Sequence, residues 1–263
     1  MCEDLGYDSV WAYDHLSPYW IKTGDSMECW TLLSAIAERT STIRIGSLVT
    51  NVNLRNPALL AKMSSTVDNI SKGRLIVGLG TGDSFSRKEL LSNGFMFSDL
   101  EERIERLRET ICVLRAMWSE DAAHYQGRYY RLFNAINYPK PRQHHCPPIW
   151  IGGKHDKILD VVAEMADGWN YWGVGRTMLK RRIQYLSSRC NEHKRPIESI
   201  VKSWSGQLPP LTNENGDCIE VRNLMQELRD ASDSEVEYFI ASFDARSHFR
   251  SYEIFADAVR SLR

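Results

Sequence analysis

The chain has 263 residues, of which 43% are apolar and 25% are charged, and its formal net charge is −1. This composition is typical of a folded globular protein, and the near-zero charge provides no field to attract nucleic acid, so we expect a small-molecule partner. No apolar run approaches the roughly 20 residues of a membrane-spanning helix, which argues against membrane association. Residues 1–8 lack the basic and apolar regions of a secretory signal, and we therefore expect a cytoplasmic protein.

The cysteines indicate neither a disulfide framework nor a metal site. None belongs to a Cys-x-x-Cys pair, and none has a histidine at metal-ligand spacing. We interpret all six as reduced packing residues and expect no metal: Cys2, Cys29, Cys112, Cys146, Cys190 and Cys218.

Along the chain, short apolar runs alternate with longer amphipathic stretches, a pattern typical of βα units around a parallel sheet. Strands are predicted at residues 9–13, 43–52, 75–79, 149–151, 169–174, 200–204 and 236–243. Helices are predicted at residues 28–39, 57–70, 100–118, 157–165, 178–193, 220–230 and 252–263. Residues 121–148 are predicted to form a long excursion, and no element is assigned to them.

One domain covering residues 1–263 accounts for all of these elements, and the predicted fold is α/β, a (β/α)8 TIM barrel. Seven strands are one fewer than such a barrel needs. Residues 1–6 resemble the end of a helix, so we expect the first strand and most of the first helix to be missing from this chain. Either the natural protein begins further upstream or the barrel is incomplete.

Active residues of such barrels lie at the carboxyl ends of the strands and in the loops that follow them. The first candidate place is residues 14–20, where Asp14 and His15 precede the aromatic residues Tyr19 and Trp20. His15 could move a proton near neutral pH, and the aromatic rings could line a flat substrate. The alternative is a loop histidine that is bonded to its neighbour Asp14.

Three further strand ends are candidates. Residues 46–51 are a strand end with small and polar residues, followed by residues 55–57, although a plain buried strand that runs into a loop explains them equally well. In residues 78–83, glycines would let the backbone approach a ligand, but the Rossmann pattern is incomplete and a tight turn is the alternative. In residues 151–155, two glycines, a lysine and a helix start could hold a phosphate, or could form a turn without a ligand.

Taken together and in this order, these segments resemble the luciferase-like monooxygenase superfamily. They are most similar to its deazaflavin-dependent oxidoreductases, a branch that includes methylenetetrahydromethanopterin reductase and a glucose-6-phosphate dehydrogenase. The resemblance extends from residue 5 to about residue 243 and is strongest at residues 44–83 and 148–169. It implies hydride transfer between coenzyme F-420 and a small organic substrate, a reaction for which the cofactor supplies the chemistry and the protein the orientation.

The resemblance also implies roles for single residues. Asp14 would bind the coenzyme, His15 would lie beside the reacting face of its ring, and Asp83 would take the place of a catalytic carboxylate. Residues 47–49 would form a bulge with a non-prolyl cis peptide behind the ring. The other coenzyme contacts would come from Ser47, Leu48, Val49, Thr50, Thr81, Gly82, Gly152, Gly153, Lys154 and His155, and the substrate contacts from Tyr19 and Trp20.

The sequence departs from the pattern of these relatives at three places. One residue is inserted before the aromatic position, so either Tyr19 or Trp20 could occupy it. His155-Asp156 stands where the relatives have Gly-Pro, which introduces charge into the phosphate loop. Asp83 is one methylene shorter than the glutamate of the sugar-phosphate enzymes, which disfavours a sugar-phosphate substrate.

Two other functions fit parts of this sequence. One is a flavin mononucleotide (FMN) monooxygenase of the same superfamily, although Asp14, His15 and the Gly152-Gly153 turn favour the deazaflavin. The other is a non-catalytic or cofactor-free barrel, because a missing strand would leave unpaired edges beside the site. We also expect a homo-oligomer, most simply a dimer.

Overall fold

The computed structural model describes residues 2–18, 24–144, 146–173, 176–208, 211, 225–226, 228–229, 233, 235–243 and 250–261. They fall into two units, Ser9–Gly152 and a second unit that combines residues 1–8 with residues 153–263. The prediction of a single domain over residues 1–263 stays a prediction.

A parallel sheet is the centre of the first unit. Its strands are β1 (Ser9–Ala12), β2 (Arg44–Ser47), β3 (Thr50–Asn51), β4 (Leu75–Gly80) and β7 (Ile149–Gly152), in the order β1-β2-β4-β7, with β3 paired to the end of β4. Strand β4 is buried along its whole length. Such an uninterrupted buried run is typical of parallel strands that are covered on both faces.

Each helix of the first unit begins at a side chain that caps free backbone N–H groups. These helices are α1 (Cys29–Arg39), α2 (Pro57–Ile70), α3 (Ser84–Ser92) and α4 (Leu100–Ser119), with the caps Glu28, Asn56, Asp83 and Asp99. Capping satisfies donors that have no partner within the helix. Pro57 opens α2 at a position where a missing N–H costs little.

The second unit contains three parallel strands and three α-helices among the residues that the structure describes. Strands β8 (Gly168–Trp172), β9 (Val201–Gln207) and β10 (Tyr238–Ser242) pair in this order. The helices are α5 (Asp156–Met165), α6 (Arg176–Glu192) and α7 (Arg250–Arg260). One part of its core is a cluster of buried apolar side chains, namely Leu208, Leu211, Leu228, Phe255 and Ala258.

Residues 2–7 have the hydrogen bonds with which many helices end. The N–H of Tyr7 donates to the carbonyl of Cys2 at 3.1 Å, and the N–H of Gly6 donates to that of Glu3 at 3.0 Å. Gly6 has a φ of +75°, which places it in the left-handed region that this capping motif requires. The predicted likeness of residues 1–6 to a helix end is confirmed for the residues described.

The predicted strand 43–52 was wrong in one respect, because the structure divides it into β2 and β3 at Leu48 and Val49. Helix α3 was not predicted either. It is short, and of its nine residues only Ser86, Glu89 and Leu90 are buried, so its sequence lacks a long apolar repeat. Most of the predicted helix 220–230 lies outside the described residues.

The excursion at residues 121–148, for which no element was predicted, contains an antiparallel hairpin of β5 (Ala123–Gln126) and β6 (Arg131–Ala135). Its turn is held by the buried carboxylate of Glu109, on α4. This carboxylate accepts hydrogen bonds from the backbone N–H groups of Arg128, Tyr129 and Tyr130. The hairpin depends on a distant side chain, which local sequence patterns do not reveal.

Within the parts of the chain that the structure describes, no helix combines the length and the apolar character needed to cross a membrane.

Candidate active site

Asp14 lies two residues after the end of β1, and its buried carboxylate is bound on both oxygens. Arg55 donates from Nη1 to Oδ2 at 2.6 Å and from Nη2 to Oδ1 at 2.9 Å. The backbone N–H of Asn51 donates to Oδ2 at 2.9 Å. Asp14 therefore ties the end of β1 to the end of β3 and to the loop before α2. Whether it also contacts the coenzyme stays a prediction.

Arg55 connects Asp14 to the start of α1. Its Nη2 also binds Oε1 of Glu28 at 2.5 Å. Burial alone would lower the pKa of Arg55, but the hydrogen bonds and charges of Asp14 and Glu28 outweigh burial and raise this pKa. Burial alone would raise the pKa of Glu28, yet hydrogen bonds from Thr31 and Arg55 lower it overall. Arg55 and Glu28 thus stabilise each other in their ionised forms.

His15 is bound to a buried carboxylate on another element. Its Nδ1 lies 2.9 Å from Oε2 of Glu89, on α3, and the N–H of Ser17 donates to Oε1 of Glu89 at 2.7 Å. The ring of Phe85 meets the imidazole edge-on at a centroid distance of 5.5 Å. The alternative in which His15 binds its neighbour Asp14 is therefore wrong, because Asp14 pairs with Arg55 instead.

The backbone between β2 and β3 has a cis peptide bond between Leu48 and Val49, as the resemblance implied. Ser47 holds the preceding turn: its hydroxyl donates to the carbonyl of Gly78 at 2.8 Å and accepts from the N–H of Gly78 at 3.1 Å. Ser47 and Leu48 are buried, whereas Val49 is only partly covered. Of these three predicted coenzyme contacts, Val49 has the most accessible side chain.

Glycines of the neighbouring strands make room for this segment. A Cβ at Gly78 would lie 1.9 Å from the carbonyl oxygen of Ser47. A Cβ at Gly80 would lie 2.4 Å from Cγ2 of Val49, and one at Gly152 would lie 2.9 Å from its Cγ1. Gly78 and Gly80 were interpreted as glycines that let the backbone approach a ligand closely. The structure corrects this view, because both belong to β4 and their lack of a side chain accommodates the bulge.

A side chain of α4, Arg103, holds the loop after β4 in place. Arg103 donates from Nη1 to the carbonyls of Thr81 and Gly82, at 2.8 and 2.7 Å, and burial lowers the pKa of this guanidinium. Asp83 caps α3, and its Oδ1 accepts from the N–H and hydroxyl of Ser86 at 2.9 and 3.1 Å. The predicted catalytic carboxylate therefore has a structural function as well. It begins the same helix that carries Glu89, the partner of His15.

Two polar side chains of β3 face the interior. The hydroxyl of Thr50 accepts from Nε1 of Trp30 at 3.2 Å, so this predicted coenzyme contact already has a buried partner. Asn51 accepts with Oδ1 from the side chain of Asn53, at 2.7 Å. Its buried Nδ2 has no hydrogen-bond partner in the part of the chain that the structure describes. That nitrogen lies beside Gly82, where a Cβ would approach it to 3.1 Å.

The glycine-rich loop before α5 has features of an anion site, but the carboxylate of Asp156 opposes the binding of an anion. Gly153 has a φ of +140°, and His155 caps α5 by accepting from the N–H of Lys157 at 3.3 Å. Lys154 is exposed, and the first turn of α5 contains Asp156. Arg182 binds the carboxylate of Asp156, which neutralises the charge that His155-Asp156 introduces here.

Several predicted site residues are not placed by this structure. Tyr19 and Trp20, the predicted substrate contacts, lie outside the described residues. Among the residues that the structure does describe, no group of histidine, cysteine, aspartate and glutamate side chains has an arrangement that could hold a metal ion.

Sequence reasoning missed Glu89, Asn51 and Arg103. Glu89 stands in the charged stretch Arg87-Lys88-Glu89, which is typical of an exposed helix face, so no local signal reveals its burial. Asn51 was noted only as part of a strand end. Arg103 belongs to alternating charges on α4, and its contact with residues 81–82 depends on how α4 packs.

Solved structures with the same fold define the class of protein. An F420-dependent secondary alcohol dehydrogenase superposes with a TM-score of 0.85 over 100% of this chain and 92% of its own, at 18% identity. The coenzyme F420-dependent tetrahydromethanopterin reductase of Methanopyrus kandleri gives 0.81 over 100% of this chain and 93% of its own, at 15% identity. The predicted α/β class with TIM-barrel architecture is thereby confirmed.

Residues 1–209 match the luciferase-like monooxygenase family, and the chain belongs to this family. A curated relative, the F420-dependent glucose-6-phosphate dehydrogenase of Amycolatopsis mediterranei (strain U-32), is 33% identical over 168 residues. These residues are 64% of this chain and 49% of the relative. The chain thus spans about half the length of the curated relatives it matches. The predicted family resemblance is confirmed.

Proposed function

We propose that this protein is an oxidoreductase that uses coenzyme F-420 to transfer a hydride to or from a small organic substrate. The proposal rests on one observation in the loop after β1. Arg55 fixes Asp14 there, and Glu89 fixes His15. A titratable ring fixed at the carboxyl end of a barrel strand is suited to move a proton in step with hydride transfer. The relatives with matching sequence and fold use this coenzyme.

The residues of the first unit fit the ring of such a coenzyme. The buried Nδ2 of Asn51 is a donor that finds no partner among the described residues, and a carbonyl or hydroxyl of a bound molecule would satisfy it. A Cβ at Gly82 would lie 3.1 Å from this nitrogen, so glycine avoids a close contact there. We assign ring contacts to Val49, Asn51, Thr81 and Gly82. We retain Asp14, Ser47, Leu48 and Thr50 as residues that hold the backbone of these contacts in place.

For the coenzyme phosphate, we propose the loop of Gly152, Gly153, Lys154 and His155. In the second unit, the positive end of the α5 dipole and the cation of Lys154 have the charge that attracts a phosphate. The pairing of Asp156 with Arg182 supports the assignment, because it removes an uncompensated negative charge from that helix end.

A deazaflavin held by these residues would supply the hydride-transfer chemistry of the reaction. His15 accepts the proton that leaves a substrate hydroxyl when the adjacent carbon is oxidised, and it returns this proton in the reverse direction. Asp83 is proposed as a second polar group at the reacting end. A cytoplasmic location and a homodimer, both expected from the sequence, are part of the same proposal.

Titration of the purified protein with F-420 and, separately, with FMN tests this assignment. We expect a tighter complex with F-420, detected by calorimetry and by a change in the visible absorbance of the coenzyme. Turnover would then be sought as bleaching or recovery of that absorbance with a panel of small alcohols, ketones and sugar phosphates. Tighter binding of FMN would favour a flavin monooxygenase, and binding of neither would favour a cofactor-free barrel.

A further inference from the structure

The carboxylate of Glu89 connects α3 to the loop after β1 with one oxygen for each contact. Oε2 lies 2.9 Å from Nδ1 of His15, and Oε1 accepts from the N–H of Ser17 at 2.7 Å. The Glu89 side chain is 1% exposed and that of His15 is 19% exposed. The contact between Glu89 and His15 is an ion pair only when the imidazole is protonated.

A buried carboxylate that accepts from Ser17 and faces Nδ1 constrains the protonation of the imidazole. An ionised carboxylate has acceptors but no donor, so the contact is a hydrogen bond only if Nδ1 carries a proton. The neutral ring then has its lone pair on Nε2, as in other sites where a second partner sets the tautomer. The edge-on ring of Phe85 restricts the rotation of the same imidazole.

We propose that Glu89 is a positioning residue that holds His15 as the Nδ1–H tautomer and thereby makes Nε2 the nitrogen that exchanges a proton with the substrate. The catalytic consequence rests on the proposed function, whereas the tautomer itself does not. The second contact of Glu89, to the backbone of Ser17, also fixes the loop. One carboxylate therefore holds both the imidazole and the loop against α3.

Glu89→Gln discriminates this role from simple packing. The amide has nearly the same volume but only one acceptor oxygen, so it cannot accept from both Ser17 and His15. Glu109→Gln is the matched control, since Glu109 is also a buried carboxylate that accepts backbone N–H groups, and it does so in the hairpin turn. Glu89→Asp keeps both acceptors on a shorter side chain and serves if Glu89→Gln does not fold.

The readout is the two-bond proton–nitrogen correlation spectrum of the histidine rings, with the His15 signals assigned from a His15→Gln sample. In the unaltered protein with a neutral imidazole, we expect the pattern of an Nδ1–H ring. Glu89→Gln should shift this pattern towards a mixture of tautomers, and Glu89→Asp should preserve it at least partly. Glu109→Gln should leave the His15 signals in place.

An Nε2–H pattern in the unaltered protein would overturn the proposal, as would His15 signals that are unchanged in a folded Glu89→Gln protein. An equal shift in Glu109→Gln would show a general loss of structure and would also count against it. The affinity for F-420, measured by fluorescence on the same samples, separates the two proposals. Absence of F-420 binding together with the Nδ1–H pattern would reject the proposed function and leave the role of Glu89 intact.

Discussion

Arg55 binds Asp14 through two parallel hydrogen bonds, with Nη1 2.6 Å from Oδ2 and Nη2 2.9 Å from Oδ1. The side chains are 10% and 2% exposed, so this is a buried pair in which each charge depends on the other. The same arginine reaches Glu28 at the start of α1. One guanidinium therefore connects Asp14, the neighbour of His15, to the start of α1 and to the loop before α2.

We expect Arg55→Ala to lower the free energy of unfolding by about 3 kcal/mol, because it leaves the charge of Asp14 buried without a partner. Urea denaturation measures this change. Arg108→Ala, which removes a partly exposed ion pair with Glu105 on α4, is the control and should cost less than about 1 kcal/mol. Equal losses in the two variants would contradict a special role for the buried pair.

The lowered pKa of Glu28 predicts a dependence of stability on pH. A carboxyl whose pKa is lower in the folded state stabilises the fold above its unfolded pKa, and this contribution is lost as the pH falls through the folded value. Glu28→Gln should therefore be less stable than the unaltered protein at pH 7. The difference should shrink as the pH falls below the ordinary glutamate pKa of about 4.3. Unfolding curves for both proteins across this range test it, and a difference that does not vary with pH would contradict the prediction.

The contacts of Val49 with the glycines of β4 predict a rescue experiment. Gly80→Ala should cost roughly 1–3 kcal/mol, because its Cβ meets Cγ2 of Val49 at 2.4 Å. Gly78→Ala should cost more, since its Cβ meets the backbone oxygen of Ser47 at 1.9 Å. Combining each change with Val49→Ala should recover stability for Gly80→Ala but not for Gly78→Ala. Recovery in both pairs, or in neither, would show that the bulge does not rest on β4 in this way.

Asp83 has a capping contact and a proposed role at the reacting end, and two variants separate them. Asp83→Asn keeps an effective helix cap, whereas Asp83→Ala loses it and should destabilise the protein by about 1 kcal/mol. If the charge acts in the reaction, Asp83→Asn should lose turnover while its melting temperature stays close to that of the unaltered protein. Full turnover in Asp83→Asn would restrict this residue to capping α3.

His15→Ala should reduce turnover by roughly 10²- to 10⁴-fold, the usual contribution of a general acid or base. The affinity for F-420 should change much less, because the imidazole is proposed to act on a proton rather than to hold the coenzyme. Steady-state rates and calorimetry on the same preparation measure the two effects. An unchanged rate with a substrate of the unaltered protein would reduce the imidazole to a structural group.

The sequence determined the features that depend on near neighbours in the chain. Apolar periodicity predicted the βα alternation, and the proline at the start of α2 marked its first residue, because both signals are contained in a few consecutive positions. The glycines and the pair Asp14-His15 also marked the strand ends at which polar chemistry concentrates. The short helix α3 and the hairpin in residues 121–148 were not predicted, because their stability comes from contacts with other elements.

The tertiary structure alone decided which side chains form the site. Arg55 is 41 positions from Asp14, and Glu89 is 74 positions from His15, so neither partner can be recognised from spacing in the sequence. A charged residue in a polar stretch has the same sequence pattern whether its side chain is exposed to solvent or packs against another loop. Only the packing of α3 against the loop after β1 buries Glu89 and gives its carboxylate to His15, and only the alignment of β2, β3 and β4 shows why glycine is needed beside Val49.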